Sequence, residues 1–295
     1  MSRQSQTKKS SKKLWILVLI LSLLLLLGGA AALILIDPWW ETPLDPNDFH
    51  SHSPSLSAPT AAPFPSSTEA PATTTQEALP TTEAPVTTTE APLPDNPVDF
   101  DALWEENPDL YAWLYVPLSP ECKDVDLPIA QSRTQDDDNF YLHRDIHRKY
   151  LFSGTIYTQK ANAKDFSDRV TVIYGHNMLN GSMFAPLANL RDQQVFENHE
   201  FFYIYTPGHI LTYRIAAAIG FDTRHILNCF DFSDDQVYED WLQNYIREPK
   251  AMIRSVREGI EVTTDDKLVI LSTCLEHGAS RYIIQGVLIS DEPTN

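Results

Sequence analysis

Residues 267–289 read KLVILSTCLEHGASRYIIQGVLI, and both the fold and the chemistry of this chain turn on that stretch. Lys267 to Thr273 is apolar and β-branched, the composition of a buried strand running up to Cys274. Leu275 to Ser280 breaks the pattern with Glu, His, Gly and Ser, so a loop is expected there. Arg281 then opens a second apolar run, Tyr282 to Ile289, expected as the neighbouring strand. In that arrangement a thiol at the end of one strand faces a guanidinium at the start of the next. A positive charge beside a thiol favours thiolate and can stabilise a developing oxyanion. A lone Cys is more often a small buried hydrophobe than a nucleophile, so the reading needs a second feature.

That feature is residues 170–184, VTVIYGHNMLNGSMF, well upstream. VTVIY has strand composition and ends in Gly175-His176-Asn177, followed by a turn and an expected helix start at Ser182. A His, a Cys and an Arg, each at a strand end, make a Cys/His/Arg site. His277, three residues beyond Cys274, is the local rival to His176 as proton carrier. Ser272 and Thr273 flank the nucleophile and either line a substrate groove or are plain strand residues.

Outward from these two stretches, β-like runs recur at 113–116, 127–131, 154–158, 201–205 and 210–221. Pro207-Gly208 between the last two reads as a hairpin turn. Together with 170–174, 267–273 and 282–289 this makes eight strands with little regular helix between them. A mainly β, closed eight-stranded barrel fits better than a doubly wound sheet. Val98 to Trp113 reads as two short helices broken at Asn107-Pro108. Asp234 to Arg247 reads as one long helix, with Ser233 as N-cap and Val237, Trp241 and Tyr245 as its packed stripe.

The rest of the chain speaks to compartment. Net charge is −18, yet residues 1–13 carry five basic residues and no acid, which leaves −23 on the remainder. An acidic body argues against nucleic acid as a partner. Residues 14–36, LWILVLILSLLLLLGGAAALILI, form an uncharged run whose helix would rise about 35 Å, enough for a ~30 Å hydrocarbon core. The run is too long for the apolar region of a cleaved signal peptide. The basic flank on its N-terminal side puts residues 1–13 in the cytoplasm and the rest outside. Residues 37–97 hold 13 of the 21 prolines and no Lys, Arg or Gly, with Thr-Glu-Ala-Pro at 68–71, 82–85 and 89–92. That composition describes a disordered, extended tether. Four segments are therefore expected: a basic tail 1–13, a membrane anchor 14–36, a tether 37–97 and a folded domain 98–295.

Other chemistries are weaker. His143 and His147 are four apart, a spacing seen in metal-binding helices, but no HExxH and no further ligand cluster accompanies them, so surface histidines are expected. There is no GxSxG elbow and no phosphate-cradling glycine loop. Three cysteines are too few for a disulfide scaffold, and a Cys122–Cys229 pair is left open.

Taken together, YGHNM, NGSMF, LSTC and the downstream Arg281 resemble the sortases, class B in particular. The likeness extends over roughly 99–289 and includes NPDLYAWLYVP (107–117), DNFYLHRD (138–145) and SGTIY (153–157). It implies the sortase barrel and a cysteine transpeptidase with His176, Cys274 and Arg281 as the catalytic set and no cofactor or metal. It also implies, as partners, secreted proteins carrying a C-terminal sorting signal and an acceptor amine from a peptidoglycan precursor or a pilin. In class B relatives the helix between the late strands borders the substrate groove, which extends the same expectation to 234–247. The alternative of a different class is a membrane-tethered, non-catalytic module that binds peptides or wall polymer. Fast single-site labelling of Cys274 by a thiol reagent separates the two.

Overall fold

The structure, a computed structural model, describes residues 93–134, 136–275 and 280–295. The expected basic tail and anchor, the tether up to residue 92, and His277 lie outside the described residues. Among the described residues no helix is long and apolar enough to cross a membrane.

Nine strands form one sheet: β1 (Leu110–Val116), β2 (Val125–Ala130), β3 (Tyr157–Thr158), β4 (Val170–Tyr174), β5 (Phe201–Thr206), β6 (His209–Phe221), β7 (Arg254–Val256), β8 (Leu268–Leu275) and β9 (Ser280–Pro293). Their order is β5-β1-β2-β3-β4-β8-β9-β6-β7, and β5 also pairs with β6. That extra pairing closes eight strands into a ring, as the spacing of the runs predicts. The ninth, β7, is a three-residue strand added to β6 outside the ring. β5 and β6 meet in a two-residue turn, Pro207-Gly208, with Thr206 opposite His209 and Gly208 at φ 83°. An L side chain is strained at that φ, which is why glycine occupies the second turn position.

The apolar runs are continuous because the sheet is covered on both faces. Val269, Leu271, Ile173, Tyr282 and Ile284 join a core that draws residues from strands all round the ring, which is the barrel interior. Their alternates Leu268, Ile270, Val170, Val172 and Ile283 join a second core on the outer face, under the connection between β6 and β7. Strand residues alternate between faces, so two buried faces erase the polar half of the pattern.

That connection holds the expected long helix in altered form. Among the described residues there are four short α-helices, α1 (Phe100–Glu106), α2 (Gln193–Asn198), α3 (Ile226–Cys229) and α4 (Asp235–Leu242), and a π turn, Gln243–Arg247, continues α4. The N-cap of α4 is Asp234 rather than Ser233: its carboxylate accepts from the N–H groups of Gln236 and Val237, whereas the Ser233 hydroxyl donates to Asp231. The buried stripe is Tyr238, Trp241, Leu242 and Ile246, with Val237 and Tyr245 half-buried at its edge. The π turn rotates the last part of the helix out of simple i, i+4 register.

Gln285, fully buried on β9, ties this helix to the sheet. The Trp241 indole N–H donates to its side-chain oxygen at 2.8 Å, and its amide donates to the Tyr245 carbonyl at 2.6 Å. Gln285→Leu leaves both partners unpaired in the core. It is expected to cost about 2–4 kcal/mol in denaturant unfolding, with little change in the slope of the transition.

Other expectations shift as well. Residues 98–113 hold one helix, α1, not two; the strand expected at 113–116 begins already at Leu110, and Leu110–Val116 is buried at every position between β2 and β5. Of 154–158 only Tyr157–Thr158 is strand, because the Gly154 N–H closes a turn on Leu151. Residues 93–97, expected in the tether, already belong to the folded domain. The Asn295 N–H donates to the Pro94 carbonyl, and the Asn96 amide donates to Thr206 and Thr294.

Candidate active site

Cys274 and Arg281 are directly opposite each other in the β8–β9 ladder. The antiparallel register puts both side chains on the same face of the sheet, and the Arg281 Nη1 lies 3.4 Å from the Cys274 Sγ. The two strands run further than the sequence pattern indicates: β8 includes Leu275 and β9 begins at Ser280, so Cys274 and Arg281 sit inside the ladder rather than at its edge. Between them, residues 276–279 lie outside the described residues. Backbone hydrogen bonds on a neighbouring strand, not a loop, therefore hold the guanidinium against the thiol. Cys122, Cys229 and Cys274 are all free thiols.

His176 arrives from β4, which runs parallel to β8 with Tyr174 opposite Ser272. The Gly175 N–H donates to the Ser272 carbonyl at 3.1 Å, which carries the pairing one residue past the strand. The Asn177 side chain donates to the Cys274 carbonyl at 3.0 Å. His176 is thus set between two residues that are each bonded to β8. Gly175 is required by packing: a Cβ there would lie 2.6 Å from the Phe184 ring. The expected helix at Ser182 is instead a turn closed by an Asn177–Met183 bridge, and a 3-10 turn starts only at Ala185.

The His176 Nε2–H donates to the Leu142 carbonyl at 3.0 Å. A carbonyl only accepts, so this nitrogen carries hydrogen and Nδ1 is the acceptor nitrogen of the neutral ring. Burial holds the His176 imidazole below its ordinary range. The bond to Leu142 opposes that shift, and the nearby His143 adds to it. The Leu142 carbonyl is itself well supported. Tyr141 beside it donates its hydroxyl to the buried Asp109 at 2.8 Å and accepts from Asn107 at 2.7 Å, and Arg148 pairs with Asp109 at 3.3 Å.

Of the two flanking residues, Thr273 is turned away. Alternation along β8 puts it with Val269 and Leu271 on the interior face, 3% exposed, and its hydroxyl has no hydrogen-bond partner among the described residues. Groove lining does not suit that position. Ser272 is also buried, and its carbonyl is used by Gly175. Tyr174, in contrast, shares the outer-face core with Ile270 and Ile283, and its buried hydroxyl has no hydrogen-bond partner among the described residues. Burial pushes its phenol up, and Arg281 pulls the other way, so the two are in electrostatic reach. His147 pairs with the exposed Glu106 at 3.3 Å. His143 is half-buried, and its ring stacks on that of His176. Among the described residues no group of three or more His, Cys, Asp or Glu could hold a metal ion.

A family model described as Sortase domain matches residues 120–289, more than half of the chain. The chain belongs to the sortase family. This sortase is 30% identical over 190 residues to sortase B of Listeria monocytogenes, covering 62% of this chain and 71% of that protein. It is 26% identical over 175 residues to sortase B of Staphylococcus aureus, covering 59% and 67%. Among solved structures, Clostridium perfringens sortase B superposes with a TM-score of 0.56 at 26% identity, over 65% of this chain and all of that one. The eight-stranded ring is accordingly the sortase barrel, and the chain is a cysteine transpeptidase similar to sortase B.

Proposed function

We propose that this sortase cleaves a C-terminal sorting motif after a Thr and transfers the new carboxyl end to an amine. The observation that carries the reading is the Cys274–Arg281 pair in register, with His176 delivered by the adjoining parallel strand. Cys274 Sγ attacks the Thr carbonyl carbon while Nδ1 of His176 takes the thiol proton. Arg281 holds the developing oxyanion, and the planar guanidinium suits a carbonyl oxygen better than a point charge does. As the tetrahedral species collapses, His176 gives that proton to the departing amine and a thioester remains on Cys274. An acceptor amine, from a cell-wall precursor or a pilin lysine, then attacks the thioester. His176 takes its proton, returns it to the thiolate, and an amide is formed. Intact-protein mass spectrometry after mixing with a library of motif peptides tests this. An adduct with the mass of the Thr-ended fragment on Cys274 is expected, and processing without any such adduct would overturn it.

The same proposal places the domain outside the cell, on residues 14–36 as anchor and 37–92 as tether, with residues 1–13 cytoplasmic. Protease added to intact, wall-stripped cells is expected to release a soluble catalytic domain by cutting within 37–92. Protection until the membrane is breached would reverse the orientation.

A further inference from the structure

We propose that His143 is a positioning residue for the acid–base group His176: its imidazole, pinned to its own loop, sets the plane of the His176 ring. The inference rests on the role given to His176 above and extends it to a residue outside the Cys/His/Arg set.

His143 ends the 3-10 turn Phe140–His143 and directly follows Leu142, whose carbonyl takes the His176 Nε2–H. Three rings meet there with nearly parallel planes. His143 and His176 are 5.2 Å apart at 26°, Phe152 and His176 5.6 Å at 19°, and His143 and Phe152 5.6 Å at 21°. These are offset stacks, the arrangement aromatic pairs prefer. The His143 Nδ1–H donates to the Phe152 carbonyl at 3.1 Å, so its ring is held from its own side. Tyr150 lies beyond His143 at 6.4 Å.

The stack supplies what the hydrogen bond to Leu142 lacks. Rotation about the last side-chain bond of a histidine is soft, and one N–H···O contact lets the ring pivot about its own axis. A flat contact on the face of His176 removes that pivot and thereby aims Nδ1. Fold stability alone accounts poorly for the arrangement, because Phe152 and Tyr150 are 46% and 66% exposed and bury little apolar surface.

The stack also bears on charge. His143 is the ionisable group in ring contact with His176, and His143 in turn meets His176 and Tyr150. Of the neighbouring charges, Arg144 lies over the Phe140 ring, Asp145 caps the Lys149 N–H, and Arg281 is on Cys274. Protonating His176 against another imidazole adds a like-charge cost to that of burial. The neutral form therefore predominates at neutral pH, and the acid limb of activity falls below the ordinary imidazole range.

The test uses the full-length protein and two substitutions. His143→Ala removes the ring. It is expected to lower kcat by about 10- to 100-fold with KM little changed, and to move the His176 titration up towards the ordinary range. His143→Phe restores the stacked ring without its charge. It is expected to recover kcat to within about threefold, because misplacement rather than lost charge dominates the rate. Histidine-selective 15N NMR in a Cys274→Ala background reads the His176 tautomer and titration without turnover, so it decides the inference even if the peptide is never processed. Unchanged kcat and unchanged titration in His143→Ala would overturn the proposal. So would a folded His143→Phe variant that stays as slow as the alanine variant, or one whose His176 has lost the Nε2–H tautomer.

Discussion

Cys274→Ala is expected to abolish cleavage of a sorting peptide, a loss of more than about 10⁴-fold, and with it all hydroxamate formed in the presence of hydroxylamine. Two results are needed because they report different steps. If the reaction passes through a thioester, a small amine intercepts it, and hydroxylamine speeds release of the Thr-ended fragment whenever transfer is the slow step. With the thiol gone no acyl group is stored, and added amine can accelerate nothing. His176→Ala should block acylation although the thiol remains, because the departing amine then has no proton donor. Arg281 does not take over that role, since a guanidinium stays protonated at any usable pH. Cleavage in a single step that yields only free acid at high hydroxylamine, and that survives Cys274→Ala, would remove the proposed intermediate. The measurement is a chromatographic assay of fragment and hydroxamate against time.

The second large effect is expected at Arg281. Its Nη1 lies 3.4 Å from the Cys274 sulfur and its backbone is paired on both sides, to Cys274 on β8 and Phe221 on β6. Arg281→Lys keeps the positive charge and leaves that backbone setting alone. What is lost is the planar fork, and a shorter, more strongly hydrated ammonium cannot reproduce its two-point contact. Loss of an oxyanion donor of this kind costs about 2–4 kcal/mol of transition-state stabilisation, or roughly 30- to 1000-fold in kcat/KM. The buried Tyr174 hydroxyl is within electrostatic reach of Arg281. Near-normal kcat/KM in Arg281→Lys would assign oxyanion stabilisation to another group.

Much of this protein is legible in one dimension. Residues 267–273 and 282–289 read as strands because β-branched composition is local, and apart from Lys267 both lie within observed strands, β8 and β9. The same holds for 170–174 and for the Pro207-Gly208 hairpin, where the turn chemistry is carried by two adjacent residues. The Cys-to-Arg pairing is legible too, since two strands joined by a short connection have few ways to pair other than as a hairpin. Residues 110–112 were not legible in this way, although 113–116, the rest of the same strand, read as β. A strand buried on both faces has no polar alternation to show, so LYAWLYV carries a period of neither two nor 3.6. β7 fails for the opposite reason, being three residues whose strand character comes only from lying against β6.

The sequence by itself determined which element each residue of the candidate site belongs to: a thiol and a guanidinium on paired strands, and an imidazole just past a third. Tertiary structure decided what surrounds them. The pairing of β4 with β8 joins segments far apart in the chain, and nothing local in either strand specifies the other. Only that pairing brings the Asn177 amide to the Cys274 carbonyl, and only the packing of 140–152 against the end of β4 brings the Leu142 carbonyl and the His143 ring to His176. The phase of the pleat likewise turns Thr273 inward while Cys274 faces outward, although the two are neighbours in sequence. Composition and period report what a segment is. Which face meets which loop depends on the free energy of the whole closed barrel, where a long connection costs only slightly more than a short one and therefore leaves no local trace.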